Sequence, residues 1–196
     1  MSTPLRDQLA GHEAARSPAA LDAFLAARRR WLRGERIDMT ALAQELGVNR
    51  VTLYRWVGSR EQLLVEVVWS LAQRTLDDLD RAIAPGARQR GVAILMGFLE
   101  ATLAHPGMQR WLAEEGEPAM RLLTRHEPGF QPRLIAAVED LLKREEAAGR
   151  LELGPDRHEI AYALVRVIES YTYLDLITGE RPEAGRARPI FARLLR

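Results

Sequence analysis

The stretch from Leu42 to Leu64, LAQELGVNRVTLYRWVGSREQLL, leaves few ways to fold. Leu42, Ala43 and Leu46 recur at helical spacing and stop at Gly47. A glycine just past an apolar periodic run supplies the left-handed residue that ends a helix. Val48 fills the angle between two helices. Asn49 is suited to cap the second, its side-chain oxygen accepting from an otherwise orphan backbone amide. The second helix is short, Arg50 to Trp56. Leu53 and Trp56, three apart, share one face and pack inward, which leaves Arg50, Val51, Thr52, Tyr54 and Arg55 outward or at the helix start. Two short helices joined by a tight turn, the second carrying an outward tyrosine and two arginines, suit a helix-turn-helix whose second helix meets base edges in the major groove.

This stretch resembles the DNA-binding domain of the tetracycline-repressor (TetR) family. The matching pattern is Leu42-Ala43, Gly47-Val48, Thr52-Leu53-Tyr54, an apolar Val57, a basic Arg60 and Leu63-Leu64. Two positions depart from the family habit. The aromatic residue usual before the Gly-Ser turn is Val57 here, still an apolar plug, and the usual lysine opening the next helix is Arg60, still a cation that reaches phosphate. The resemblance implies an all-α protein in two parts. Residues 17–63 would form a three-helix helix-turn-helix DNA-binding domain, and residues 64–196 a helical domain that binds ligand and dimerises. It further implies a cytoplasmic homodimer that recognises double-stranded operator DNA as a sequence-specific transcriptional regulator. By family habit this is a repressor released by a small-molecule effector.

Charge agrees with that placement. The chain as a whole carries a formal net charge of only +1, yet the nine arginines between Arg16 and Arg60 face four acidic residues. Such clustering is the footprint of phosphate contact, although Lys143 is the only lysine and the arginine bias runs through the whole chain. There is no cysteine, which excludes disulfides and thiolate metal sites. The N-terminus, with Arg6, Asp7 and Glu13, lacks the apolar core of a signal peptide. The longest apolar stretch, Ala161 to Ile177, is interrupted by Arg166, Glu169 and Asp175 and is too polar to span a membrane.

Taken in order, residues 1–16 are polar and alanine-rich and are expected to be loose. Ser17-Pro18 opens a first helix that ends near Gly34, and Asp38 caps the second. Ser59 with Gln62 forms a capping-box pattern ahead of a long amphipathic helix that runs to about Ala84 and is broken by Pro85-Gly86. Helical spacing then continues over Arg88 to Ala104, Pro106 to Glu115, Pro118 to Thr124 and Pro132 to Ala148, with an irregular HEPGFQP stretch from His126 to Pro132. Asp156 and Glu159 make a second capping-box pattern before a helix expected to reach Thr178. A last helix covers roughly Glu183 to Leu195, kinked or restarted at Pro189. No strand pattern competes.

The helix from Ile160 to Ile177 reads as apolar nearly all round, so it would be buried on both sides, one against the core and one against a second subunit. Arg166 and Glu169 sit three apart within it, with Ser170 and Tyr173 nearby. Two accounts stand side by side. The charges form an ion pair, within the helix or across the seam, or they line a pocket for a small ligand. Trp111, Met120, Arg121 and Phe130, from the irregular middle section, are candidates for the pocket, with core packing as the plain alternative for the apolar ones. The segment from Pro118, PAMRLLTRHEPGFQPRLIAAVEDLL, and the later VRVIESYTYLDLITGE resemble the QsdR-like regulatory domain within the TetR family. That likeness implies a lactone-type effector only loosely, and Pro118 departs from the subgroup's helical run.

Enzymatic chemistry finds little support. The four histidines, His12, His105, His126 and His158, show no helical metal-binding pair, and no HExxH, GxSxG or glycine-rich phosphate loop is present. Glu114, Glu115 and Glu117 near His126 are read as solvated helix-end charges rather than a metal site. No cofactor is expected. The remaining alternative is a helical protein-interaction module without DNA binding.

Overall fold

In the computed structural model, which describes residues 3–9, 18–127 and 129–196, the regular elements are helices and no strand occurs among the described residues. The head comprises α1 (Pro4–Leu9), α2 (Pro18–Leu32), α3 (Met39–Glu45) and α4 (Arg50–Val57). From it α5 (Arg60–Ala82) leaves as a spine. The body is built against that spine from α6 (Arg90–Ala104), α7 (Pro106–Thr124), α8 (Phe130–Ala147), α9 (Arg157–Thr172), α10 (Leu174–Thr178) and α11 (Arg188–Leu194). The all-α expectation holds.

Local chemistry sets the helix ends around the turn. Asp38 accepts from the Thr40 and Ala41 amides at 2.8 Å each, and these bonds, the one from Ala41 foremost, hold its carboxyl below the usual carboxylate range. Asn49 accepts from the Thr52 amide at 2.8 Å. Gly47, at φ 66°, ends α3 in the left-handed region. Ser59 and Gln62 close their reciprocal box at the start of α5. With those ends fixed, Leu42, Leu53, Val57, Leu63 and Leu64 all point into one head core together with Phe24 and Trp31.

Three expectations are corrected. Residues 4–9 are helical rather than loose, because Leu5 is fully buried and Arg6 Nε donates to Glu66 Oε1 on α5 at 3.1 Å. The Asp156–Glu159 box does not form. The Glu146 carboxylate on α8 instead accepts from the Leu153 and Gly154 amides at 2.8 and 2.9 Å and pairs with Arg157. The helix expected to run to Thr178 breaks at Tyr173 (φ −108°, ψ 21°), whose side chain is buried. Within the single chain α9 is covered on one side, the side expected against the core. Leu164, Val165, Ile168 and Glu169 are buried, while Tyr162, Arg166 and Ser170 are exposed. The two helical pieces expected around Pro118 are present as the two arms of α7, which meet at a kink with non-helical backbone at Glu115 (φ −134°, ψ 36°). Pro118 has no amide to give the preceding turn, and its ring crowds that turn's carbonyl. Ser17, His12 and Pro128 lie outside the described residues.

Two buried ionic clusters tie the body together. Glu66 on α5 receives both Arg6 and, at 2.9 and 3.1 Å, Arg133 from α8, so the N-terminal helix and the body share one carboxylate. At the opposite end of the spine the buried Arg90 guanidinium bonds Glu145, Asp80 and the Ile83 carbonyl, and Arg150 also bonds Glu145. Burial alone would push the Glu145 carboxyl up, but the two arginines outweigh it and hold it down.

Candidate nucleic-acid interface and ligand cavity

Helix α4 anchors itself with Leu53 and Val57, both essentially inaccessible, and with Trp56 half-buried against the core, and leaves Arg50, Val51, Tyr54 and Arg55 exposed. Val51 is 79% exposed and Tyr54 38%. Arg50 and Arg55 are exposed, and Thr52 is half-buried at the helix start. Arg50 reaches back to Tyr54, its NH2 3.4 Å from the hydroxyl and its guanidinium carbon 5.8 Å from the ring centre. A bare β-branched residue between a tyrosine and two arginines offers apolar, hydrogen-bonding and charged contacts on one small surface.

The other arginines of the head are mostly engaged inside the molecule. Arg29 and Arg30 pair with Glu45, Arg33 with Glu35, and Arg36 and Arg60 with Glu115. Among the described residues, Arg28, Arg50 and Arg55 alone in this segment have no carboxylate partner within ion-pair distance. Arg60, expected on phosphate, instead donates to the Ile37 carbonyl at 2.8 Å and to both Glu115 oxygens at 2.8 and 2.6 Å. Glu115 stands at the bend of α7, and the Arg60 bonds hold its carboxyl below the usual range.

Head and body therefore meet at α7 as well as through the spine. Arg110 donates to the Gly34 carbonyl at 2.9 Å. Trp31 packs edge-on against Trp111, ring centres 5.3 Å apart, and lies 6.2 Å from the His105 ring. Gly107 is pressed so close that a β-carbon there would lie 2.5 Å from the Trp31 carbonyl oxygen. Only glycine allows that approach.

Behind Trp31 lies a partly open cavity of about 70 Å3 with a mainly apolar wall. Helices α5, α6, α7, α8 and α9 all contribute, through residues such as Leu71, Phe98, Met108, Phe130 and Ile168, and the head contributes Trp31. The hydroxyls of Thr75, Thr102 and Thr172 are each bonded to a carbonyl four residues back in their own helices. His105 Nδ1 accepts from the Gly107 amide at 3.0 Å, and burial pushes the ring's pKa down, so the neutral ring carries its proton on Nε2. Glu169, 7% exposed, is the one acidic residue of the wall among the described residues. Gln131 donates to its Oε1 at 3.0 Å. Arg166 approaches Oε2 to 2.6 Å but off the axis of its N–H bonds, so Oε2 accepts no hydrogen bond. Burial raises the carboxyl's pKa, and burial also raises that of the Tyr173 hydroxyl beside it.

Of the pocket residues expected from sequence, the fold brings Phe130, Glu169 and Tyr173 together on this wall. The other five stand elsewhere. Arg166 and Ser170 project from the outer side of α9, Arg166 as an i,i+3 ion pair and Ser170 bonded to the Arg166 carbonyl. Trp111 and Arg121 line a separate open cleft of about 500 Å3 between the start of α5 and α7, and Met120 is half-buried against the core. Trp31 and His105 are wall residues that sequence reasoning missed. The His105-Pro106-Gly107 break was visible, but nothing local to Trp31 indicates a partner so far along the chain.

An outward basic recognition helix on a compact head, joined to a larger helical body with its own cavity, defines a two-part helix-turn-helix DNA-binding regulator. A family model described as tetracyclin repressor-like, C-terminal domain, matches residues 86–196. The chain belongs to the TetR family of DNA-binding transcriptional regulators. It is 26% identical over 173 residues to the HTH-type transcriptional regulator BetI of Agrobacterium fabrum, covering 78% of this chain and 84% of that one. A second BetI, from Brucella anthropi, is 28% identical over 167 residues, covering 74% and 85%. In structure it resembles the transcriptional repressor QsdR of R. erythropolis, with a TM-score of 0.82 at 24% identity over 92% of this chain and 95% of that one. That likeness establishes the fold. No single helix among the described residues is long and apolar enough to cross a membrane.

Proposed function

We propose that this regulator is a cytoplasmic homodimeric repressor whose hold on operator DNA is loosened when a small, largely apolar molecule occupies the cavity behind Trp31. One observation carries this reading: Trp31 belongs to the head yet forms part of the cavity wall. A ligand shifts an equilibrium only by binding two conformations unequally. A molecule too large for about 70 Å3 either emerges through the open side or displaces the wall, and the wall includes Trp31 of the head. The Arg60–Glu115 and Arg110–Gly34 contacts give the displacement a shorter route than the length of α5. Coupling of this kind is worth about 1–3 kcal/mol. A lactone-type molecule is the effector that the QsdR-like resemblance loosely implies.

On the DNA side, Arg50 and Arg55 are assigned to guanine edges or phosphates, Thr52 and Tyr54 to phosphate or a thymine methyl, and Val51 to a thymine methyl. Arg60 is left out of the interface because its guanidinium is already held. Residues 17–63 act as the head and 64–196 as the regulatory part. The dimer seam is assigned to the outer side of α9 with α10, where Tyr162, Leu176 and Ile177 are exposed apolar side chains. A two-fold dimer would read half-sites about 34–36 Å apart, or a multiple of that spacing.

Selection of bound sequences from a random duplex pool, followed by titration at several salt concentrations, tests the reading. A two-fold-symmetric site with steeply salt-dependent affinity is expected, together with a dimer by sedimentation at micromolar concentration. Ile177→Glu should yield monomers, whereas a charge at Leu174, buried within its own chain, would damage the fold instead. No duplex binding at any salt would favour a protein-interaction module.

A further inference from the structure

We propose that the cavity selects an apolar amine, with the ligand's ammonium N–H groups bonding Glu169. This rests on the cavity being the effector site, and adds the chemistry of the effector's polar end. Three features of the wall lead there.

The first is what remains unsatisfied. The three threonine hydroxyls are closed within their own helices. Among the described residues, Glu169 Oε2 is the buried wall atom that has no hydrogen bond. A buried acceptor without a donor is costly, and more so when charged. A ligand that supplies the donor removes that cost, whereas one that brings only acceptors leaves it in place.

The second is charge. Among the described residues, Glu169 is the wall's only acidic side chain and no lysine or arginine belongs to the wall. His105 is held neutral by burial. The nearest cation, Arg166, reaches Glu169 from the outer face of α9, where it is itself 47% exposed. A carboxylate ligand would meet a like charge, with the one nearby cation, Arg166, already paired to it from the outer face. An ammonium would meet a carboxylate that burial has left poorly solvated, which raises its attraction for a partner of opposite charge.

The third is the company around the carboxyl. Trp31, Phe98, Phe130 and Tyr173 line the same space. Aromatic faces attract cations and exclude water from the alkyl part of the ligand. The enclosed volume of about 70 Å3 is smaller than a cavity that holds benzene, so a short alkyl chain suits it, its far end emerging through the open side.

Calorimetric titration of the full-length protein with n-hexylamine, hexan-1-ol, hexanoate and γ-hexalactone at pH 7 tests the assignment, with tryptophan emission as a second readout of events at Trp31. Hexylamine should bind at least about tenfold more tightly than the other three, the gain of one charge-assisted hydrogen bond. Glu169→Gln should bring hexylamine down to the level of hexanol while leaving hexanol itself within about twofold. Arg166→Met, on an exposed position, removes the competing cation and should tighten hexylamine binding. If hexanoate or the lactone binds as tightly as the amine, or if Arg166→Met weakens the amine, the ligand class is wrong while the cavity remains the effector site. If none of the four probes binds, the cavity reading itself fails and the amine assignment falls with it.

Discussion

The recognition helix and the cavity are built in opposite ways. Helix α4 presents its outward side chains from eight consecutive residues and rests on two buried ones, Leu53 and Val57. The cavity collects its wall from six helices, from Trp31 in the head to Tyr173 after α9. On α4 the side chains proposed to meet DNA contribute little to the fold, so they can change without cost to stability. Around the cavity the same side chains both hold the body together and bound the ligand space. Function and stability are separable in the first region and entangled in the second.

The largest effect expected is at Phe130, which is buried and stacks edge-on against Trp69 with ring centres 6.2 Å apart. Phe130→Ala should cost about 3–5 kcal/mol of stability by urea unfolding and enlarge the cavity, while operator affinity of the folded fraction changes little. A cost below about 1 kcal/mol would mean that the body collapses freely onto the space, and the contrast between the regions would be lost.

Arg50→Ala and Arg55→Ala are the converse. Whichever of them reads a base should lose about 1–3 kcal/mol of operator affinity and relax specificity at one position. Unfolding should stay within about 0.5 kcal/mol of the parent. A comparable loss of stability would show that α4 is not the separable surface described.

Arg60 lies between the two regions. With both partners of the Arg60–Glu115 pair about one-fifth exposed, Arg60→Ala should cost about 1 kcal/mol of stability. It should leave the salt dependence of DNA binding unaltered and weaken the response to ligand. If gel shifts instead show the salt slope flattened by about one, Arg60 touches phosphate after all.

The smallest effect concerns pH. Burial lowers the pKa of His105, so the folded protein takes up its proton less readily than the unfolded chain. Stability from this group is full above the unfolded value of about 6.5 and is lost as pH falls below it. His105→Gln should therefore flatten the decline in melting temperature between pH 7.5 and 5.5. An unchanged decline would assign it to other groups.

How far each region could be read from sequence follows from the same contrast. The caps Asp38, Asn49 and Ser59 and the turn at Gly47 act within a few residues, so their roles were legible. On α9 the spacing of Glu169 and Tyr173 placed them near each other, and Phe130 lay in a visible helix break. Periodicity could not tell which side of α9 faces inward at Arg166, nor that α7 bends so that Trp111 turns towards the head. The capping box at Asp156 failed because Asp156 closes a 3-10 turn from Gly154, at φ −82° and ψ 2°, and lacks the extended backbone a capping residue needs. Leu5 buried itself from a stretch with almost no pattern, since one leucine and one arginine suffice to dock a two-turn helix.

The self-paired arginines of the head bear on what happens away from the operator. A chromosome offers an immense excess of unrelated duplex, and a regulator's grip on it is set by how many of its cations meet phosphate, each worth about 0.9 of a released counterion. Five of the head's arginines are already held by Glu35, Glu45 and Glu115. A head of this kind is expected to gain less from phosphate contact than its number of arginines implies, chiefly at Arg30 and Arg60, whose side chains are about one-fifth exposed. Under the proposed release by a ligand, weaker adhesion to random sequence would favour return to free solution over transfer to neighbouring DNA.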